Sequence, residues 1–272
     1  MKKLSLALIL AALVAAPAAH ATPTTTVWAP ATTAVQGYLV PHLTYDTYFG
    51  RGAAPGAPGA PAYPITTGAT MGVLPYEALQ LELGFDLALP TNDPFLFNAK
   101  VGTVEDKLFA WQPSLAVGVF GVGTKSDVTN YDIVYAQAQH SLPWGGFVSV
   151  GGYYGAGSEV LFTGSNGVER AGFMGGIVAP DITVDLSWLK KVTLAADVQT
   201  GKNAFGAVGA AASFYFTDTI GILTGPIFFL DSAIQPGGAS WMWTVQLDVD
   251  LPLKPAPAAT PAAAAVPAAT KS

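Results

Sequence analysis

The chain has 272 residues, of which 51% are hydrophobic and only 11% charged, with 30 glycines and a formal net charge of −6. A soluble domain carries about twice that share of charge, and the acidic balance argues against a nucleic-acid partner. With no cysteine in the sequence, a disulfide framework, a cysteine-ligated metal site and an acylated-cysteine anchor are excluded.

Lys2 and Lys3 precede an apolar stretch from Leu4 to Ala19, and Ala19 and Ala21 flank His20. This is the layout of a secretory signal peptide with an A-x-A cleavage site, so residues 1–21 are expected to be removed. The apolar run is short for a membrane-spanning anchor. Loss of Lys2 and Lys3 leaves 10 basic residues against 18 acidic ones, a net charge of about −8. Residues 22–34 are rich in Thr, Pro and Ala and read as an irregular leader before a folded domain at 35–253.

Beyond the signal peptide no uninterrupted apolar run reaches the ~20 residues of a transmembrane helix. The pattern is instead one of alternation. From Ala78 to Leu89 every odd-numbered position is large and apolar while the even ones are small or polar, and the pattern recurs from Trp241 to Leu251. Successive side chains on a strand point to opposite faces, so each is a ribbon with one apolar and one polar side. Carboxylates such as Asp248 and Asp250 are costly in an ordinary two-sheet core. The polar side is therefore assigned to water and the apolar side to a bilayer.

Strand-like segments follow in order at 36–49, 65–74, 77–89, 95–103, 112–123, 130–141, 145–155, 169–178, 191–200, 204–216, 220–230 and 240–253. Most approach the ~9–11 residues that cross a bilayer at a tilt. About twelve strands are predicted, an even number as in bacterial barrels, and a short strand hidden at Thr183–Trp188 leaves room for a count of up to fourteen. With both termini on the periplasmic side, the outer connections hold the Gly-Ala-Pro segment of 50–64, Thr91-Asn92-Asp93, Lys125-Ser126-Asp127, Gly164–Gly167 and Gln235–Gly238. Pro75-Tyr76, Leu142-Pro143-Trp144 and Thr217-Asp218-Thr219 are tight inner turns, whereas 105–111 and 179–190 are longer inner connections. Trp111, Trp144 and Trp188 fall at inner strand ends and Tyr131 and Tyr154 near outer ends, as in the aromatic girdles of a membrane barrel. Residues 254–272 are a Pro/Ala-rich segment that cannot bury a core and reads as a disordered tail, a possible tether to cell wall or a periplasmic partner.

A signal peptide, a cysteine-free chain, alternating strands and a Trp-rich last strand together resemble bacterial outer-membrane β-barrel proteins, over about Gln36 to Leu253. The resemblance is to the class, with no narrower subfamily. It implies an all-β, antiparallel up-and-down transmembrane barrel in the cell outer membrane, in contact with outer-membrane lipid and inserted by the barrel-assembly machinery. That machinery reads a final strand ending in an aromatic residue, whereas this one ends in Leu251-Pro252-Leu253 and a tail. A soluble β-sandwich is the fold-level alternative.

Strand parity places His42, Thr44, Asp46, Gln80, Glu82, Asp86, Asn98, Lys100, Arg170, Thr193, Asp197, Gln199, Gln246, Asp248 and Asp250 in the lumen. Carboxylates outnumber the cations Lys100 and Arg170, so an open pore would favour cations. Alternatively the charges pair and plug a narrow barrel. Lys100 faces Glu82 or Asp86 in that case, and closure brings Asp248 or Asp250 to His42. Catalysis is not expected. His42 and His140 are the only histidines beyond the signal peptide, His140-Ser141 side chains point to opposite faces, and no G-x-S-x-G elbow occurs. Gly118–Ser126 has its lysine out of register for a phosphate loop, and the glycine pairs are assigned to barrel-wall packing. No metal or cofactor is expected. The reading is a small passive pore or transporter for polar or cationic solutes, with a closed structural or surface-interaction barrel as the alternative.

Overall fold

The computed structural model describes residues 25–50, 65–76 and 78–253. The expected signal peptide, the start of the leader, the Gly-Ala-Pro loop and the Pro/Ala tail lie outside the described residues.

The alternating segments form twelve long strands. They are β1 (Pro41–Gly50), β2 (Ile65–Gly72), β3 (Gln80–Leu89), β4 (Phe95–Thr103), β5 (Ser114–Gly123), β6 (Ile133–Ser141), β7 (Phe147–Gly155), β8 (Ala171–Val178), β9 (Leu189–Gln199), β10 (Ala207–Tyr215), β11 (Ile220–Phe229) and β12 (Trp241–Asp250). Each pairs antiparallel with the next, and β12 pairs with β1 from His42↔Asp250 to Gly50↔Met242. The result is a closed up-and-down barrel, in which closure removes the unpaired edges an open sheet would leave. Among the described residues there is no α-helix, only the short 3₁₀ turns Glu159–Phe162, Ser232–Ile234 and Pro236–Gly238.

Two expectations about elements change. The segment at 183–188 does form a strand, Ile182–Leu186, but it pairs with Lys191 and Val192 of β9 on the same flank that β8 pairs further along. It prolongs β8 past Pro180 rather than adding a crossing, because proline lacks the N–H that would continue the ladder. The first strand starts at Pro41, not Gln36. Leu39, at φ 57°, and the bond from Val40 N to Gly37 O turn the chain before the strand begins.

The outward face is apolar around the barrel. Leu83, Phe97, Val117, Val150 (64% exposed), Phe173 (71%), Leu194, Phe228 and Leu247 all stand outward on different strands. Monomeric soluble proteins rarely expose contiguous apolar patches beyond a few hundred Å². Trp111, Trp144 and Trp188 are exposed at the end bearing the connections 104–113, 142–146 and 179–188, called here the turn end. Tyr154 is likewise exposed near the opposite, loop end. Tyr131 is a correction: it packs inward, its ring 4.8 Å from that of Phe205, because its loop folds back into the barrel mouth.

Placing a charge on this belt tests the role of the outward face. Val150→Arg is expected to reduce folding stability by about 2–4 kcal/mol in phospholipid vesicles, measured by equilibrium denaturant titration. An effect within about 0.5 kcal/mol, the usual size for a plain water-facing site, would contradict it.

Candidate functional site

The barrel interior is occupied. Residues 25–40 form no regular element, yet 25–36 thread the lumen, with Val27, Ala29, Ala31, Thr32, Thr33 and Gln36 all buried, before the chain emerges at Tyr38. An extended chain in such a place has backbone donors and acceptors that need partners, and the wall supplies them.

Near the loop end, Asp197 Oδ2 accepts the backbone N–H groups of Val27, Trp28 and Ala29 at 2.7, 2.8 and 2.9 Å. Gln246 Nε2 donates to Val27 O at 2.9 Å, and the Trp28 indole donates to Phe205 O at 2.7 Å. Further along, Ser149 Oγ donates to Ala31 O, Thr33 N donates to Gln139 Oε1, and Thr33 Oγ1 donates to Ser114 Oγ. Lys100 Nζ donates to Ala34 O at 2.8 Å. At the turn end, Gln36 N donates to Glu82 Oε2 at 2.7 Å and Gln36 Nε2 to Asp250 Oδ1 at 2.8 Å. Wall glycines make room for this path. A Cβ on Gly209 would lie 2.8 Å from Val27 Cγ1, one on Gly176 2.9 Å from Ala31 O, and one on Gly102 2.8 Å from Val35 Cγ2.

The residues assigned to the lumen by parity divide into three groups. Glu82, Lys100, Asp197 and Asp250 bind the threaded segment as described, with Lys100 opposite Glu82 in the β3–β4 register. His42 is fully buried between carboxylates, Nε2 3.3 Å from Asp248 Oδ1 and Nδ1 3.0 Å from Asp250 Oδ1, across the seam where β12 meets β1. Asp46 and Asp86 border a cavity: Thr66 Oγ1 donates to Asp46 Oδ2 at 3.1 Å, and Asn98 Nδ2, rather than Lys100, donates to Asp86 Oδ2 at 2.6 Å. Arg170 departs from the expected list. It precedes the first β7–β8 pair, Tyr154↔Ala171, and its Nη1 donates to Gly155 O and Gly157 O while the guanidinium lies 5.8 Å from the Phe162 ring centroid. Strand parity loses its meaning past the last rung, so Arg170 clamps a loop at the rim.

The cavity left beside the threaded segment has a volume of about 340 Å³. Its polar side is formed by His42, Thr44, Asp46, Thr66, Thr70 and Asp86, and its aromatic side by Trp28, Tyr48, Phe120, Tyr131 and Phe205. Leu161, Gln235 and Pro236 of the outer loops border it from above. Those loops are tied together by Asp231, whose Oδ2 accepts Ser165 N at 2.7 Å and whose Oδ1 accepts Ala233 N at 3.2 Å. The Ser165 hydrogen bonds hold the Asp231 carboxyl below the usual carboxylate range.

The threaded segment, Trp28 and Phe205 were not anticipated. A Thr/Pro/Ala stretch has no periodicity to place it. The legible signal was the surplus of interior carboxylates without cations, together with inward glycines on separate strands.

No protein-family model and no curated protein matches the chain. Among solved structures, it is similar to an outer membrane channel from Pseudomonas putida F1, at 12% identity and a TM-score of 0.44 over 85% of this chain and 99% of that one. The barrel's own geometry defines the class: a closed, twelve-stranded, antiparallel up-and-down barrel with an apolar outer face, like the outer-membrane β-barrels.

Two outcomes follow from the hydrogen bonds. Asp197→Ala leaves three buried N–H groups without their acceptor, at ~1–3 kcal/mol each. Hydrogen exchange at Val27–Ala29 is expected to accelerate by at least about tenfold, and unchanged protection would contradict the contact. Because Asp231 has a folded pKa below its ordinary 3.8, its stabilisation is complete above that value and disappears as pH falls through the lower folded one. Protection of the Ser165 amide is expected to persist through pH 3.8 and fail only at lower pH.

Proposed function

We propose that this protein is an outer-membrane channel for polar or cationic solutes, passive in mechanism and closed by residues 25–36. The observation that carries this reading is the kind of contact holding the segment. Ala29, Ala31 and Trp28 pack in apolar clusters of the wall, but the backbone along the segment is bound through hydrogen bonds to wall side chains. Such contacts exchange for water, at a net cost of about 0.5–1.5 kcal/mol for a neutral hydrogen bond and about 1.5–3 kcal/mol for one to a charged group such as Asp197 or Glu82. Displacement of the segment would leave a lumen walled by Asp46, Glu82, Asp86, Asp197, Asp248 and Asp250, and acidic walls favour cations. The apolar belt and the expected signal peptide support the outer membrane as its location.

A second reading is a closed barrel with a structural or surface-interaction role. The number of bonds along the segment favours it, since each must be broken to open the lumen.

A crosslink separates the two. The chain has no cysteine, and Thr33 Oγ1 of the segment lies 2.8 Å from Ser114 Oγ of the wall, so cysteines at these two positions bring their sulfurs within reach of a disulfide. In planar bilayers, wild-type protein is expected to conduct with a reversal potential showing cation preference. Thr33→Cys/Ser114→Cys protein is expected to be silent when oxidised and to conduct when reduced. Silence of wild-type protein at all voltages would favour the closed barrel. Equal conductance in both redox states would contradict gating by the segment.

A further inference from the structure

We infer that the cavity beside the threaded segment is a binding site for an amphipathic organic cation, an ammonium group carried on a compact aromatic body. This deepens the channel reading by naming the class of solute, and it rests on that reading only for the route by which the ligand arrives.

Charge defines one end of the site. Asp46 and Asp86 stand on β1 and β3, either side of β2, opposite Thr66 and Gly68 in the register. Each carboxylate has one oxygen engaged by a neutral donor, Thr66 or Asn98. Among the described residues neither has a cation at ion-pair distance: His42 is taken by Asp248 and Asp250, and Lys100 by Ala34 O beside Glu82. Two carboxylates facing this space, with His42 as the one basic side chain in its lining and already shared by Asp248 and Asp250, favour a cationic occupant.

An unused polar atom gives an independent pointer. Thr70 is 7% exposed and Gln199 2% exposed. Both line the cavity, and Thr70 Oγ1 has no hydrogen-bond partner. Buried polar atoms in native proteins are nearly always paired, so the Thr70 hydroxyl is poised for a polar group on a ligand.

The opposite wall sets the rest of the ligand. Trp28 and Tyr48 meet edge to face at 6.3 Å, and Tyr131 and Phe205 lie at 4.8 Å. Rings so placed hold an apolar body and attract a cation over their faces. At about 340 Å³ the space is near the lower bound of small-molecule sites, ~300 Å³, so it takes one small molecule and excludes a polymer. A bare inorganic cation would leave the aromatic wall unused, and an anion would meet the carboxylates.

The test uses mature protein in detergent micelles, with 2-phenylethylammonium as probe and 2-phenylethanol as its neutral isostere. Calorimetry is expected to show saturable one-to-one binding of the ammonium, with the alcohol at least about tenfold weaker, the scale of one charge-assisted hydrogen bond. Asp46→Asn/Asp86→Asn is expected to lower ammonium affinity by at least about tenfold. Trp28→Phe should abolish the probe-dependent change in tryptophan fluorescence. Equal affinity for the alcohol, unaltered affinity in the double variant, displacement by equimolar sodium, or no saturable binding would each overturn the site. Heat-shifted gel migration checks folding of the variants, and if the double variant fails to fold the isostere comparison in wild-type protein decides alone. Binding without conductance would reject the channel and keep the site. Conductance without binding would do the reverse.

Discussion

Interior carboxylates must find donors, and in this barrel the chain's own backbone provides them. Asp197 takes three consecutive N–H groups from Val27 to Ala29, and Glu82 takes that of Gln36. A wall with too few cations and a segment with no secondary structure are each unfavourable alone. A buried charge needs hydrogen bonds, and so does a buried extended backbone. Placed together, each supplies what the other lacks. The wall glycines that let the segment approach, Gly102, Gly176 and Gly209, belong to the same arrangement.

Alternation does the remaining structural work. One parity builds the apolar exterior, and the other builds the polar lining on the same strands. A one-residue slip would exchange the two faces, so each rung from Pro41 to Asp250 is set by the solvent difference across the wall. Closure of β12 on β1 then fixes the His42 cluster, in which one imidazole bridges two carboxylates of the last strand.

The barrel was therefore largely legible in the sequence. The alternating runs at 78–89 and 241–251 mark strands whose observed ranges differ from the expected ones by only a few residues, and the contact of His42 with Asp248 and Asp250 follows from closure alone. The contents of the barrel were less legible. Val27 meets Asp197 across a sequence separation of 170, and no local pattern encodes such a contact. Thr, Pro and Ala between the signal peptide and β1 carry the composition of a linker. Arg170 and Tyr131 show the same limit at smaller scale, since both sit in loops where strand parity no longer dictates which way a side chain points.

The central claim is that residues 25–36 fill the lumen, and a single cysteine reports on it most directly because the chain has none of its own. Ala31 is fully buried within the barrel. In folded Ala31→Cys protein in vesicles, a bulky membrane-impermeant maleimide should label the thiol at least about a hundredfold more slowly than in the denatured chain, as for a site reached only by opening. Labelling of the folded protein at the denatured rate would contradict the account and put the segment outside the lumen.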